Sequence, residues 1–301
     1  MSTPPHISLS DFLDGANAWL NANTTPRPPS GALTWGEGSD RVSLFRDSSP
    51  EEERAQVEAL LAWQRKKADA GYGSIAWPVE YGGAGLPRAY EAAFRQLEQG
   101  FVAPLITESV SISLEITAPT ILALGAEAQK SRWIAALRRG DAMCCQMFSE
   151  PGAGSDLGAI ALRATPDGDG WILNGQKVWT SGAQYADIGF LVALTNRDAP
   201  RQSALTAFLV PLKDVPGIDI RPLRQMTGGS NFNEVFFNDV RISDTDRVGA
   251  VGAGWAGAMT ALGFERGSAA TGGGGNGPDL FGRLVLAARH TGQLQDPLVR
   301  Q

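Results

Sequence analysis

The residue types best suited to bind a ligand lie in two short runs between residues 148 and 182. The first run, FSEPGAGSD at 148–156, is named the glycine loop. It combines two hydroxyls, two carboxylates and two glycines that let the main chain approach a bound group closely. The second run, WILNGQKVWTSG at 171–182, places Trp179 beside the hydroxyls of Thr180 and Ser181. Together the runs offer N–H and O–H donors to a flat polar ligand, on which an exposed Trp179 could stack.

The two runs predict a loop followed by a β-hairpin. Asn174 and Gly175 can adopt the positive φ values of a type I′ turn, and aromatic or β-branched residues flank them on both sides. Glu150 and Asp156 are expected to fix the loop through hydrogen bonds to its backbone. A simpler interpretation is a surface loop and a hairpin with Trp179 in the core, because glycine-rich loops and buried tryptophans are common.

Composition argues against several classes of function. The 301 residues include 26 basic and 32 acidic side chains, a net charge of −6, and no Lys/Arg run, so nucleic acid is not expected as a partner. No apolar run reaches the roughly 18 residues of a membrane span. The first residues have neither the charged start nor the apolar core of a signal peptide, which makes a cytoplasmic protein the expectation.

The chain has two cysteines, Cys144 and Cys145, and two histidines, His6 and His290. The adjacent cysteines exclude a disulfide framework and are expected to begin a buried strand without a redox role. No metal is expected, because a zinc site would need ligands that the chain hardly has. Histidines near opposite ends disfavour a Ser-His-Asp or Cys-His site. An enzyme of this sequence would use a carboxylate base and leave the difficult chemistry to a cofactor.

The elements that must position the two runs are mainly helices before residue 143 and strands after it. One helix is expected to begin at Ser49, which forms a capping box with Glu52. Later helices are predicted at 89–100, 105–114, 117–124 and 127–139. Strands are predicted at 188–194, 204–212, 218–222 and 233–242. Helical composition returns at 254–270 and 280–289. The pattern indicates an α+β protein whose central domain is a small antiparallel β-barrel or sandwich.

The two runs closely resemble the flavin-binding signature of the acyl-CoA dehydrogenase family, a Ser/Thr-Glu-Pro-Gly-Ala-Gly-Ser-Asp loop before a strand ending in Trp-Ile/Thr-Thr/Ser. Two further stretches, PVEYGGAGL at 78–86 and GGSNFNEVFF at 228–237, are similar to the family. The resemblance implies an N-terminal helical domain at 1–142, a central β-domain at 143–250 and the start of a C-terminal helical domain at 251–301. In the family several further helices usually follow, and they include the commonest position of the catalytic glutamate.

The resemblance also implies roles for particular residues. The implied FAD contacts are Gln146, Phe148, Ser149, Trp179, Thr180 and Ser181. Ser155 matches a position along which the pantetheine of acyl-CoA passes. Glu265 and Arg266 match the place where a minority of the family carries the catalytic Glu directly before an Arg, which implies Glu265 as base and Arg266 in the substrate wall. The alternative for Glu265 is a helix-surface carboxylate or one paired with Arg266.

The function implied by the resemblance is FAD-dependent α,β-dehydrogenation of an acyl-CoA thioester. Electrons would pass to an electron-transfer flavoprotein, and the chain would work in a homo- or hetero-oligomer. Two alternatives stay open. One is an acyl-CoA oxidase or flavin monooxygenase on the same fold, and the other is a non-catalytic or partner-dependent subunit that binds flavin or acyl-CoA.

Overall fold

The computed structural model describes residues 7–27, 49–104, 106–226, 228–270 and 280–300. Before the strands lie α1 (Leu9–Asn23), α2 (Pro50–Asp69), α3 (Arg88–Glu98), α4 (Glu108–Ser111), α5 (Ala118–Leu124) and α6 (Glu127–Arg139). After the strands come α7 (Gly254–Ala270), α8 (Leu280–His290) and α9 (Pro297–Arg300). This order of helices, strands and helices confirms the predicted α+β class.

Helix α2 begins where the sequence predicts. Ser49 Oγ accepts a hydrogen bond from Glu52 N at 3.2 Å, and Glu52 Oε2 accepts one from Ser49 N at 2.8 Å. These bonds satisfy two N–H groups that a helix start would otherwise leave without a partner. Further along α2, Trp63 Nε1 donates to the buried carboxylate of Glu98 at 2.7 Å, and this bond joins α2 to α3.

The central domain is one eight-stranded sheet. Its strands are β1 (Cys144–Met147), β2 (Arg163–Asp167), β3 (Gly170–Ser181), β4 (Ile188–Leu194), β5 (Leu205–Pro211), β6 (Ile218–Leu223), β7 (Phe232–Ser243) and β8 (Arg247–Val248). The order is β6-β7-β3-β2-β4-β5-β8, with β1 paired to β4. Pairing is mostly antiparallel, although β1 and β2 run parallel to β4. Among the described strands the outermost two, β6 and β8, do not pair with each other, so the sheet is open and not a closed barrel.

The hairpin predicted at Asn174 and Gly175 is wrong. β3 runs unbroken through both residues, and the chain reverses earlier, at Gly168 (φ 60°) between β2 and β3. Gly175 has φ 144°, which is not the value of a type I′ turn, and a Cβ there would lie 2.8 Å from Leu162 Cα. The Asn174 side chain donates a hydrogen bond from Nδ2 to Asp239 Oδ1 at 2.9 Å. The glycine therefore serves the close approach of two chain segments instead of a turn.

The helices predicted at 105–114 and 117–124 form one continuous helical run in the described residues from Glu108 to Leu124. α4 passes into a π-helical segment, Ile112–Thr117, which leads directly into α5. Pro119 sits in the first turn of α5. The π-helical turn shifts the backbone hydrogen bonds from i→i+4 to i→i+5, which accommodates a residue without an N–H. The first residue of this run, Glu108, reaches the end of β3, where it accepts a hydrogen bond from Ser181.

The sheet separates two buried clusters. One lies between the sheet and the helices and includes Ile121, Ile134, Phe190 and Ala258. The other fills the opposite face and includes Leu162, Leu173, Phe208, Val235 and Phe237.

The adjacent cysteines begin β1, as predicted, and both are buried. Burial raises the pKa of Cys144 to about 12 and that of Cys145 well above its usual value, so both thiols stay protonated at neutral pH. In the described part of the chain, no cluster of three or more His, Cys, Asp or Glu residues could hold a metal ion. None of the described helices has both the length and the apolar character needed to span a membrane.

Candidate functional site

The glycine loop follows β1 directly and turns back on itself at once. Glu150 N donates to Ala153 O at 2.7 Å, and Ala153 N donates to Glu150 O at 3.0 Å. Phe148, at the start of the loop, is buried. A Cβ added at Gly152 or Gly154 would meet no atom within 4 Å, so open space lies over both glycines. The loop thus has a fixed base and an accessible tip.

A β-bulge near the end of β3 turns Trp179 out of the sheet. Val178 and Trp179 of β3 lie opposite the single residue Glu234 of β7. Trp179 has φ 59°, its side chain is 60% exposed, and its ring meets Phe232 edge-on with centroids 5.8 Å apart. Bulges re-aim side chains, and a positive φ at a bulky residue is rare outside functional or strained positions. The interpretation with Trp179 in the core is therefore wrong.

Two hydroxyls follow Trp179 on β3. Thr180 is fully buried, and its Oγ1 has no hydrogen-bond partner among the described residues. Ser181 is also buried and donates its hydroxyl to Glu108 Oε1 at 3.1 Å. A buried hydroxyl without a partner costs about 1–3 kcal/mol and is uncommon in native proteins. Thr180 Oγ1 is therefore a candidate contact for a bound group.

A buried ion pair joins the glycine loop to β3. Lys177 Nζ lies 2.8 Å from Glu150 Oε1 and donates to Phe148 O at 2.9 Å, and the lysine side chain has no exposed area. Burial lowers the pKa of Lys177 to about 8, although the charge of Glu150 opposes the shift. The other contacts of the Glu150 carboxylate come from Ala161 N at 2.7 Å and Leu162 N at 3.0 Å. The structural role predicted for Glu150 is confirmed, but the N–H groups that its carboxylate bonds belong to the segment after the glycine loop and not to the loop itself.

The remaining predicted residues of the loop region are less enclosed. Gln146 is half-buried on β1, and Ser155 is exposed at the end of the loop. The carboxylate of Asp156 pairs with the Arg201 side chain, with an N–O distance of 3.0 Å. The expectation that Asp156 bonds the loop backbone is therefore wrong: its carboxylate points to a neighbouring arginine.

Glu265 and Arg266 lie in the second half of α7, and both are exposed. The first half of this helix packs against the core through Ala258 and Ala261. None of the hydrogen bonds or ion pairs among the described residues joins Glu265 or Arg266 to the glycine loop or to β3. The described contacts thus join the start of the glycine loop to β3, whereas none of them reaches Glu265.

Sequence reasoning missed two residues of this region, Lys177 and Glu108. A signal for Lys177 exists, because a lysine inside an apolar strand needs a buried anion, and Glu150 is a nearby carboxylate in a loop without other cations. Glu108 gave no such signal. Its contact with Ser181 spans 73 residues of chain and depends on how the helical run packs against the sheet.

The sequence of this chain is similar to two family models and to proteins of known name. The family model "Acyl-CoA dehydrogenase, N-terminal domain" matches residues 46–141, and "Acyl-CoA dehydrogenase, middle domain" matches residues 145–240. The chain is 41% identical to "Acyl-CoA dehydrogenase IpdE1" of Mycobacterium tuberculosis over 84% of its own length and 65% of that protein. It is 39% identical to "Acyl-CoA dehydrogenase IpdE1" of Mycolicibacterium smegmatis over 98% of its length and 74% of that protein.

A solved structure of similar fold is the ChsE4-ChsE5 complex from Mycobacterium tuberculosis. Its matching chain has 25% identity and a TM-score of 0.63, and the match covers 88% of this chain and 61% of that one. The chain therefore spans 61–74% of the length of these three proteins.

Proposed function

Because the chain belongs to the acyl-CoA dehydrogenase family, we propose that it catalyses the α,β-dehydrogenation of an acyl-CoA thioester with FAD as cofactor. FAD is the general cofactor of this family. The proposed flavin contacts are those implied by the resemblance: Gln146, Phe148, Ser149, Trp179, Thr180 and Ser181. Electrons leave to an electron-transfer flavoprotein, and the working form is an oligomer.

The end of β3 is the observation that carries this proposal. It combines an exposed aromatic ring at Trp179, a buried hydroxyl without a partner at Thr180, and the open glycine loop tied to the same strand. The exposed indole of Trp179 can stack on a flat ring, and the Thr180 hydroxyl, which lacks a partner, can form a hydrogen bond with a polar atom at the edge of that ring. The residues present therefore fit an isoalloxazine ring.

Bound FAD would supply the acceptor for the hydride that leaves the β-carbon of the acyl chain. The protein has to stabilise the developing charge, position the reactants and exclude water. Negative charge develops on the thioester oxygen as the α-proton leaves, and preorganised N–H and O–H donors stabilise such charge by roughly 3–4 kcal/mol per contact in comparable sites. Phe148, Ser149 and Thr180 would hold the cofactor, and Ser155 and Arg266 are proposed to border the substrate. The buried side chain of Phe148 excludes water beneath the loop.

Glu265 is proposed as the base that takes the α-proton. A carboxylate suits this step when the acyl chain covers it and raises its pKa toward the working pH. Glu265 is exposed among the described residues, and we propose that bound substrate or a neighbouring subunit covers it. The Glu265→Gln variant is expected to bind FAD normally but to lose flavin bleaching by acyl-CoA. The exposed helix residue Glu58, replaced by Gln, is the matched control. Unchanged bleaching in Glu265→Gln would remove this residue from the mechanism.

The experiment that tests the function as a whole is an anaerobic titration. The full chain is mixed with FAD, freed of unbound flavin, and given acyl-CoA of several chain lengths while the flavin absorption is followed. Retained flavin that loses its absorption band supports the proposal, and a protein that retains no flavin refutes it. Peroxide formation in air would instead favour an oxidase.

A second candidate function is a partner-dependent subunit. The exposed position of Glu265 favours it, and so does a fold relative that is itself a complex, ChsE4-ChsE5. In this case flavin is retained, and bleaching appears only when the partner chain is added. The native mass of the active species separates the two candidates.

A further inference from the structure

The Lys177–Glu150 pair lies beneath both halves of the proposed flavin site. One half is the start of the glycine loop, whose Phe148 carbonyl accepts from Lys177 Nζ at 2.9 Å. The other half is the last three residues of β3, Trp179–Ser181, and Lys177 lies two residues before them on the same strand. A main-chain bond from Val178 N to Ser149 O at 3.0 Å runs beside the ion pair. Lysine, carbonyl and carboxylate thus form one buried connection between the two halves.

Glu150 extends this connection to a third segment. Its Oε2 accepts from Ala161 N at 2.7 Å, and its Oε1 accepts from Leu162 N at 3.0 Å as well as from Lys177. The carboxylate thereby holds the chain where it returns from the glycine loop toward β2. Lys177 thus holds the start of the glycine loop and Glu150 holds the segment that follows it, while the tip at Gly152 and Gly154 stays open.

The charges of this pair have no other described counter-ion. Lys177 has no exposed area, and Glu150 is 8% exposed, so each is the charge partner of the other. A buried pair seldom adds stability over apolar residues of similar size. The bonds of this pair to Phe148 O, Ala161 N and Leu162 N have defined directions, which restricts how the three segments lie relative to one another. A rigid ring that binds between a loop and a strand requires a fixed spacing between the two.

We propose that Lys177 and Glu150 are positioning residues, which hold the glycine loop and the end of β3 at the spacing that flavin binding requires. The inference rests on the proposed function. With the pair present, the loop is already ordered before the cofactor arrives, and binding does not have to order it. Without the pair, the loop keeps its main-chain bonds and the exposed Asp156–Arg201 ion pair, and part of the binding free energy is used to order it.

The test compares three variants of the full chain. In Lys177→Met/Glu150→Leu, apolar side chains of similar size replace the pair, so no unpaired charge is left buried. Glu150→Gln keeps the shape of the side chain but removes its charge. Arg201→Gln is the matched control, because it removes the exposed ion pair with Asp156 in the same loop.

Two measurements are made on each variant: FAD affinity, by fluorescence titration, and hydrogen exchange at the amides of Val178, Ala161 and Leu162 in the flavin-free protein. The double variant is expected to stay folded, to bind FAD at least about tenfold more weakly, and to exchange these amides faster. Arg201→Gln is expected to match the wild type in both measurements.

The outcomes separate the two proposals. A folded double variant that binds FAD as tightly as the wild type overturns the positioning role, whatever its stability. If the double variant does not fold, Glu150→Gln decides by the same comparison of FAD affinity. A wild-type chain that binds no FAD refutes the proposed function, and the positioning role falls with it. A wild-type chain that binds FAD, beside variants that bind equally well, refutes the positioning role alone.

Discussion

Gly175→Ala is expected to destabilise the protein by about 2–6 kcal/mol. Gly175 has φ 144°, a value that costs a residue with a side chain about 1–3 kcal/mol. Its new Cβ would lie 2.8 Å from Leu162 Cα and 2.9 Å from Leu162 Cβ, and overpacking of this kind costs about another 1–3 kcal/mol. The sum is a large part of the 5–15 kcal/mol that typically separates folded from unfolded domains.

The estimate depends on whether Leu162 can move away. Its side chain is 1% exposed, so it fills the sheet core. Its N–H is bonded to Glu150 Oε1 at 3.0 Å, and its carbonyl accepts from Leu194 N at 2.8 Å. A shift of this segment would break at least one of these bonds, so Leu162 cannot relieve most of the destabilisation caused by Gly175→Ala.

Urea unfolding followed by far-UV circular dichroism measures the effect as a lower midpoint at an unchanged slope. Gly152→Ala is the matched control, because an added Cβ there meets nothing within 4 Å, and its stability should stay within about 0.5 kcal/mol of the wild type. If Gly175→Ala unfolds at the same urea concentration as Gly152→Ala, Leu162 yields easily and the reasoning about close approach is refuted.

Two further predictions concern buried or charged hydrogen bonds. The Asp244 carboxylate accepts hydrogen bonds from the Arg247 guanidinium and, with a smaller effect, from Trp171 Nε1, and these bonds lower the pKa of Asp244 to about 2. The pKa of Asp244 is lower in the folded than in the unfolded state, so ionised Asp244 stabilises the folded protein. This contribution is nearly complete above about pH 4 and is lost as the pH falls toward 2. The stability gap between wild type and Asp244→Asn in urea titrations should therefore shrink on acidification, and a constant gap would contradict this assignment. Trp63→Phe removes one of the two described donors to the buried Glu98 and should cost about 1.5–3 kcal/mol in urea unfolding. A loss below about 0.5 kcal/mol would show that Lys67, 3.1 Å from the carboxylate, satisfies it alone.

The order of elements could be predicted because its signals are local. The capping box at Ser49 and Glu52 involves residues three apart, and the shift from helical to strand patterns near residue 143 can be read along the chain. The structural role of Glu150 was also predictable, since a carboxylate in a glycine loop commonly bonds nearby N–H groups. The capping box and the element order depend on neighbours in sequence, whereas the Glu150 carboxylate bonds N–H groups 11 and 12 residues further along the chain.

The errors share a different cause. Asn174-Gly175 has the local composition of a hairpin turn, but whether the chain turns there depends on β7 and on the segment around Leu162, which a local pattern does not contain. Asp156 was expected to bond its own loop and instead pairs with Arg201, 45 residues away. In both cases a distant segment outcompeted the local preference.

By itself, the sequence determined the α+β class, the position of the glycine loop and the residue types that a flavin site would use. Only the tertiary structure decided that Trp179 points outward, that Thr180 Oγ1 is left without a partner and that Lys177 is buried against Glu150. The physical reason is that side-chain direction at the end of β3 follows from a bulge in its pairing with β7. A strand that is one residue out of register reverses which side chains face the core, and register is a property of two strands together.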